Sequence, residues 1–358
     1  AAAKKHFAPG HKVFRWPMDF TWSVARALDR VRPNLVVLME GEFWPNFLTA
    51  CTKRDIPVVV VNGRMSPNKG YPRYKMLGGL AAKLFNRVTA IGVQDEAYAE
   101  RFIELGTKTD KVHLTGMMKF DSVKVADALP GQDALQVALG LKNDEPLWVA
   151  GGTGPNEERI LLDAYKKLNE IHPKLRLAIV PRKPERFDEV ARLISDAGMG
   201  CVRRSERPDN ETGTLEPNDV ILGDTMGELR TFYALADIVF VGRSLVPMGG
   251  SDMIEAAALG KPTCFGPHTF NFPQAEALLR HGCAGVQDGS ALVQQIDAWL
   301  NDPATARQAG SEARQYIQTQ QGATRRNVEL LCHVLGRQPA ITPGDVATQK
   351  LKAEVQIQ

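Results

Sequence analysis

One glycine-rich loop in the second half of the sequence combines the groups needed to bind a phosphate. An apolar run ends at Val241, and a helical pattern begins soon after two glycines. Unpaired backbone N–H groups at the start of a helix attract anions, and glycine lets the backbone approach a ligand closely. The predicted site comprises Gly249, Gly250, Ser251, Asp252, Met253, Ile254 and Glu255, with Glu255 accepting from ribose hydroxyls. Alternatively, Asp252 and Glu255 form a capping box and the glycines only a turn.

Three more loops in the same half follow apolar runs and suit a nucleotide. They span residues 151–154, 181–187 and 223–228. The second offers cations to an anionic ligand, and the third a methionine that can pack on a base. The residues predicted to contact the nucleotide here are Pro181, Arg182, Met226, Gly227 and Glu228. None of the loops matches a P-loop or a G-x-G-x-x-G fingerprint, so the prediction depends on their recurrence after successive strands.

The first half carries charged side chains where acid–base chemistry is expected. Glu40 and Glu42 directly follow an apolar run, and a carboxylate there can orient a substrate hydroxyl or take its proton. Glu42 is the weaker candidate of the two. Lys119 lies at the end of this half, where it either stabilises a developing anion or pairs with Asp121.

These loops need strands and helices to position them, and the pattern indicates an α/β fold with parallel sheets. Short β-branched runs alternate with helical segments throughout. Strands are predicted at residues 35–39, 58–62, 88–92, 112–115, 146–151, 176–180, 220–222, 238–241 and 262–265, and one helix at 71–85. The predicted domains are a partial N-terminal acceptor-binding domain (1–120), a linker (121–141), a C-terminal donor domain (142–320) and a possibly helical tail (321–358).

Composition narrows the class of protein. Of 358 residues, 44% are hydrophobic and 24% charged, as in soluble globular proteins, which excludes a disordered or fibrous chain. No apolar run reaches the roughly 20 residues that span a bilayer. The five cysteines show no paired spacing, so no zinc site and no disulfide framework is expected. The opening residues read as the end of a helix, and we expect that part of the protein precedes them.

Charge is unevenly distributed. Residues 1–120 carry 19 Lys and Arg against 10 Asp and Glu, whereas the remainder carries 25 against 31. No acidic residue occurs between Asp55 and Asp95. Basic and apolar residues alternate there, which suits an anionic membrane or a phosphorylated partner, while no motif that reads nucleic-acid bases is present. The side chains assigned to this role are Arg64, Lys69, Arg73 and Lys75. A solvated face that lacks acids by chance is the alternative.

The motifs quoted above, in this order, resemble those of the 3-deoxy-D-manno-octulosonic acid (Kdo) transferases. The resemblance runs from about residue 10 to residue 320. It implies the GT-B fold, in which two Rossmann-like domains face each other across a cleft, here with an incomplete N-terminal domain. It also implies an inverting, metal-independent transfer of Kdo from CMP-Kdo to a lipid A precursor, with no cofactor. The donor-binding residues named above would bind CMP, and Glu40 and Lys119 would lie near the reacting centre.

Some positions depart from the family pattern. The resemblance places the family's general base and membrane anchor before residue 1, and the enzyme at the cytoplasmic face of the bacterial inner membrane. The family usually has Gly-Gly-His-Asn where this chain has Gly249, Gly250, Ser251 and Asp252. Gly154 and Lys183 stand where histidine is common. Asp252 brings negative charge near a phosphate, which weakens donor binding unless its carboxylate caps the helix.

Two other functions remain open from the sequence. A UDP-sugar transferase or a sugar-nucleotide epimerase of the same fold would prefer uridine nucleotides to cytidine nucleotides. A non-catalytic nucleotide-binding or scaffold protein would bind without turnover. The oligomeric state is not predicted.

Overall fold

A computed structural model of the chain describes residues 7, 10–209 and 211–337. The chain divides into two compact units, residues 1–121 with 321–358, and residues 122–320. The helical opening predicted for the first residues and the end of the predicted tail, 338–358, lie outside the described residues. Each unit is built around a parallel sheet, which confirms the predicted α/β class.

The first unit contains a four-stranded sheet whose strands lie side by side in chain order. Val58 to Val61 are all buried, as expected for a strand covered on both faces. Its elements are α1 (Thr21–Val31), β1 (Val36–Met39), α2 (Pro45–Thr52), β2 (Val58–Gly63), α3 (Gly70–Met76), α4 (Gly79–Phe85), β3 (Ala90–Val93), α5 (Glu96–Glu104) and β4 (Val112–Leu114), followed by a 3-10 helix, Met118–Ser122.

The single helix predicted at residues 71–85 is wrong. In the structure α3 ends at Met76 and α4 starts at Gly79, because Gly78 between them has φ of +50° and ψ of −129°, which is not a helical conformation. Glycine adopts a positive φ without steric cost, so the chain forms two separate helices here. The pair Gly78-Gly79 in the sequence was the signal that could have predicted this break.

The second unit contains a seven-stranded parallel sheet in the order β11-β10-β9-β5-β6-β8-β7. Its core includes Trp148, Tyr165 and Phe240, all fully buried. Its elements are α6 (Gln132–Leu139), β5 (Leu147–Thr153), α7 (Glu157–Ile171), β6 (Arg176–Pro181), α8 (Phe187–Asp196), β7 (Gly200–Arg203), β8 (Asp219–Leu222), α9 (Leu229–Leu235), β9 (Ile238–Val241), α10 (Ile254–Ala258), β10 (Thr263–Phe265), α11 (Ala275–Arg280), β11 (Ala284–Gly285), α12 (Gly289–Asn301) and α13 (Pro303–Gln320).

The chain returns to the first unit after α13. Helix α14 (Ala323–Val334) buries Leu330 against apolar residues of β2 and β3. Asp121 caps its start, because the carboxylate accepts from the backbone N–H groups of Gly322 at 2.6 Å and Thr324 at 2.5 Å. Asp121 therefore acts at a helix N-terminus more than 200 residues away in the chain.

Candidate functional site

The strand order of the second unit reverses between β5 and β9. From β5 the chain adds β6 on one side, then β7 at the edge of the sheet and β8 between β6 and β7, and it then returns to add β9, β10 and β11 on the other side of β5. Ligands of open parallel sheets bind at such a switch point, outside the carboxyl ends of the strands. The loop that follows β9 meets the carboxyl end of β5 there: Ser251 Oγ, in that loop, donates to the carbonyl of Gly152, the next-to-last residue of β5, at 2.7 Å.

Glycine is required at two positions of the loop after β9. Gly249 and Gly250 have φ of +89° and +85°, a region that other residues rarely adopt. A Cβ atom on Gly249 would lie 2.0 Å from the side-chain amide of Asn271. Met253 and Ile254 are fully buried, so these two residues can contribute only backbone groups to a ligand.

Helix α10 starts later than the phosphate prediction assumes and is short. It begins at Ile254 and has five residues, which limits the helix dipole available to an anion. Asp252 Oδ1 accepts from the Ile254 backbone N–H at 3.1 Å, so this carboxylate already occupies one of the first amides of the helix. Glu255, the second residue of the helix, is half-buried.

A buried glutamate that the sequence analysis missed shapes the start of this loop. Glu157, the first residue of α7, is 0% exposed, and its carboxylate accepts from three consecutive backbone N–H groups. These belong to Arg243 (2.5 Å), Ser244 (2.9 Å) and Leu245 (3.0 Å). Burial raises the pKa of Glu157, although the three amides oppose the shift. An amide nest that would suit an external anion is thus filled by the protein's own carboxylate.

The neighbouring glutamate fixes the loop after β6. Glu158 is also 0% exposed; it binds both terminal nitrogens of Arg186, at 2.5 and 3.1 Å, and accepts from the Thr153 hydroxyl. The sequence counted Arg186 among the cations offered to a ligand, and the structure corrects this. Arg182, in contrast, is exposed and makes no ion pair within the described part of the chain. Its backbone N–H donates to the carbonyl of Thr153, the last residue of β5, which holds the start of the loop after β6 against the end of β5.

The loop after β8 is held by charged side chains of the neighbouring strand. The Glu228 carboxylate accepts from Arg204 at 2.8 Å and from the Thr225 hydroxyl. Met226 is 72% exposed, and Gly227 has φ of +91°. The loop therefore presents an apolar side chain and an anchored carboxylate at the same edge of the sheet.

A buried tyrosine lies under the switch point. Tyr233 is fully buried, burial raises its pKa, and its hydroxyl has no partner among the described residues. A Cβ atom on Gly151 would lie 2.3 Å from that hydroxyl oxygen. Glycine at position 151 thus makes room for the tyrosine, a requirement that no local sequence pattern signals.

In the first unit, two strand ends have unusual backbone conformations. Glu40 follows β1 with φ of +58°, and Asn62, in β2, has φ of +54°. Such conformations are costly for residues other than glycine and often mark functional sites. The Glu40 backbone N–H donates to the Val61 carbonyl, which places the two residues side by side. The Met118 backbone N–H donates to Asn62 Oδ1 at 3.1 Å, so the turn that carries Lys119 reaches the same edge.

The other charged residues of this edge differ in their contacts. Glu42 accepts from the indole N–H of Trp44 at 3.0 Å, and a weak ion pair of 3.9 Å joins Arg64 to Glu40. Lys119 is half-buried. The structure thus brings the loop of Glu40 and the turn of Lys119 together at the carboxyl ends of the strands. Glu42 instead forms a hydrogen bond within its own loop.

A basic patch surrounds α3 and α4. It combines exposed cations with exposed apolar side chains; Met76 is 88% exposed and Leu80 65%. Its members are Arg64, Lys69, Arg73, Lys75, Met76, Leu77 and Leu80. No helix among the described residues is long and apolar enough to cross a bilayer, and these residues contain no cluster of His, Cys, Asp or Glu suited to a metal ion.

Two units, each built around a parallel sheet, the second with glycine-rich loops at its switch point, are the architecture of the GT-B fold. The crystal structure of a glycosyltransferase from Rickettsia africae ESF-5 is similar to this chain, with a TM-score of 0.61, 92% of this chain and 86% of that one covered. Its sequence identity of 15% supports the fold alone.

Sequence similarity identifies the family. Residues 1–122 match the family model described as 3-deoxy-D-manno-octulosonic-acid transferase (kdotransferase). The chain is 34% identical to the 3-deoxy-D-manno-octulosonic acid transferase of Haemophilus influenzae over 335 residues, which cover 92% of this chain and 76% of that protein. Identity to the corresponding enzyme of Bordetella pertussis is 32%, with 89% and 74% covered. The chain belongs to the Kdo transferase family and is a glycosyltransferase.

Proposed function

We propose that this protein transfers Kdo from CMP-Kdo to a lipid A precursor, with inversion at the anomeric carbon and without a metal ion or cofactor. The observation that carries the donor half of this proposal is the meeting of loops at the β5/β9 switch point. Arg182 and the backbone N–H groups of Gly249 and Ser251 would bind the phosphate, and Glu255 the ribose. A rate unchanged by a chelator supports the metal-free reaction, and loss of activity on chelation would contradict it.

The first unit would serve the acceptor. Glu40, held in a strained conformation at the end of β1, would orient the acceptor hydroxyl, and Lys119 would stabilise charge that develops in the transition state. A carboxylate would take the proton of the acceptor hydroxyl, whose oxygen would attack the anomeric carbon as the bond to the CMP phosphate breaks and CMP leaves. We expect Glu40→Gln and Lys119→Ala to lower kcat for Kdo transfer while CMP affinity stays unchanged. A fall in CMP affinity of the same size would contradict these roles.

The basic patch would contact the membrane surface and the phosphates of the lipid acceptor. Exposed methionine and leucine side chains beside four cations match an anionic lipid surface, at about 1 kcal/mol for each cation near it. We expect Arg73→Glu/Lys75→Glu to reduce binding to vesicles that contain anionic lipid. The pair Lys166→Glu/Lys167→Glu, exposed on α7, is the control. Equal losses for both pairs would argue against a specific patch.

Titration calorimetry with CMP, and with UMP and UDP as controls, tests the donor site. Arg182→Ala should weaken CMP binding at least tenfold, because a charge-assisted hydrogen bond contributes about 1.5–3 kcal/mol. Arg192→Ala, an exposed arginine of α8, is the control. Tighter binding of uridine nucleotides would favour the UDP-sugar enzymes of this fold. CMP binding without Kdo transfer would favour the non-catalytic alternative.

A further inference from the structure

A polar pocket lies where β5, β9 and β10 begin, at the end of the second sheet opposite the loops described above. It has a volume of about 210 Å³ and is bounded by α6, α9 and the chain that leads into these strands. Its polar lining includes Gln132, Gln136, Lys142, Glu145, Asp237 and Lys261. β5 has seven residues, so about 20 Å of strand separates this pocket from the glycine-rich loops. We call it the amino-end pocket.

Glu145 supplies a buried carboxylate that the protein satisfies only in part. Its side chain is 9% exposed, and Oε1 accepts from Arg176 at 2.7 Å and lies 3.9 Å from the Lys142 ammonium. Oε2 is buried and has no hydrogen-bond partner among the described residues. Burial alone would raise the pKa of Glu145, but Arg176 holds it below its ordinary value, so the group is ionised at neutral pH. A buried acceptor without a partner favours a ligand that donates to it, above all a cationic one.

Lys261 supplies the opposite charge. Its side chain is half-buried and forms no hydrogen bond or ion pair within the part of the chain that the structure describes. Burial lowers the pKa of Lys261, and the charge of Asp237 opposes this shift. Asp237 itself is exposed and accepts from the Leu147 backbone N–H at 2.8 Å. Because the Lys261 ammonium has lost part of its hydration, it gains from an anionic ligand group.

The charges of the amino-end pocket match a ligand that carries both signs. Two carboxylates and two ammonium groups line it, so a ligand with a single charge would meet like charges. Glu145 and Lys261 precede β5 and β10, which flank β9, so their backbones are two strand spacings apart, about 10 Å. Their long side chains reach the same cavity from its two sides. The volume equals that of about seven water molecules, which suits a small metabolite and excludes a nucleotide.

We propose that the amino-end pocket binds a small zwitterion, whose primary ammonium donates to Glu145 Oε2 and whose carboxylate accepts from Lys261. The side-chain amides of Gln132 and Gln136, on successive turns of α6, line the same cavity and offer further polar contacts. This inference involves neither the donor nucleotide nor the acceptor, so its test is independent of the proposed Kdo transfer.

Titration calorimetry on the full chain tests the site with glycine, β-alanine and γ-aminobutyrate, whose charges lie increasingly far apart. Butyrate and butylammonium carry one charge each and are the ligand controls. We expect at least one zwitterion to bind at millimolar concentration, and both single-charge compounds to bind at least roughly tenfold more weakly. Lys261→Met removes the ammonium and keeps the apolar stem, so it should lower the affinity for that zwitterion about tenfold or more. Glu145→Gln should do the same, while its amide oxygen still accepts from Arg176.

Lys174→Met is the matched control. Lys174 is an exposed lysine just before β6 that pairs with Asp144 at 2.6 Å and does not line the pocket. This variant, and Arg182→Ala at the other end of the sheet, should keep the affinity of the wild type. An equal loss in the two lysine variants overturns the inference, and so does a loss in Arg182→Ala, which would place the probe at the loop after β6.

Two results with the wild type also overturn the inference. One is the absence of zwitterion binding to folded protein, and the other is butyrate binding as tight as that of the best zwitterion. Lys261→Met decides the test even where Glu145→Gln fails to fold, because the Lys261 side chain forms no bond to the rest of the described chain.

Discussion

Replacement of Glu157 by alanine tests whether a buried carboxylate organises the loop after β9. The side chain is fully buried and accepts from three backbone N–H groups. Alanine leaves all three without their acceptor. Each buried unsatisfied donor costs about 1–3 kcal/mol. Water entering the vacated volume would satisfy part of this demand, so we take the lower end and expect a loss of about 3 kcal/mol in the free energy of unfolding.

A loss of this size is large beside the roughly 5–15 kcal/mol that stabilises a typical domain. Urea unfolding should report it through Trp148, which is fully buried in the same unit. Glu170→Ala, an exposed glutamate of the same helix, is the control and should change stability by less than about 0.5 kcal/mol. A loss below about 1 kcal/mol for Glu157→Ala, or an equal loss for both variants, would refute the reasoning.

Three further outcomes are expected. Asp252→Asn should tighten CMP binding about tenfold in calorimetry, because it removes a negative charge beside the phosphate. The asparagine side chain can still accept from the backbone N–H of Ile254, so the loop is kept. Unchanged affinity would place the phosphate elsewhere. Burial alone would raise the pKa of Asp224, but hydrogen bonds hold it below its ordinary value, so Asp224 stabilises the fold above its unfolded pKa. The stability difference between wild type and Asp224→Asn should therefore shrink as pH falls below about 4, and a pH-independent difference would contradict this. Gly151→Ala should lower the free energy of unfolding by about 1–3 kcal/mol, because the added methyl group overpacks the site. Adding Tyr233→Leu to this variant should recover part of the loss. No change in stability for Gly151→Ala would show that the backbone adjusts.

Local patterns predicted most of the sheets. The strands with continuous β-branched and apolar runs, such as β2 and β5, follow from composition because both faces are covered. β7 and β11 were missed. β11 has two residues, and β7 lies at the sheet edge with mixed burial, so neither carries a clear apolar pattern. The helices α1, α6 and α12 were also not predicted, although Asp288 caps α12 by accepting from two backbone N–H groups. Helix α6 lies within the predicted linker of residues 121–141, and it buries Leu135 and Leu139.

Several long-range contacts were beyond any local pattern. Glu157 reads in the sequence as an ordinary acidic residue in the first turn of a helix. Its partners in the loop after β9 are 86 to 88 residues away. Arg204 likewise appears as one of several surface cations, while in the fold it is buried and joined to Glu228.

The sequence by itself determined the parallel α/β class and which loops follow strand ends, because hydrophobic periodicity and turn residues act locally. The family was identified by the resemblance of its motifs. The tertiary structure alone decided which of those loops are neighbours and which charged side chains bind groups of the protein itself. Strand order brings β9 beside β5 and β8 beside β6. The same order decides which loops are neighbours, and therefore which group each buried charge can pair with. Arg186 and Glu157 are therefore internal supports of the loops after β6 and β9, whereas Arg182 remains exposed in the loop after β6.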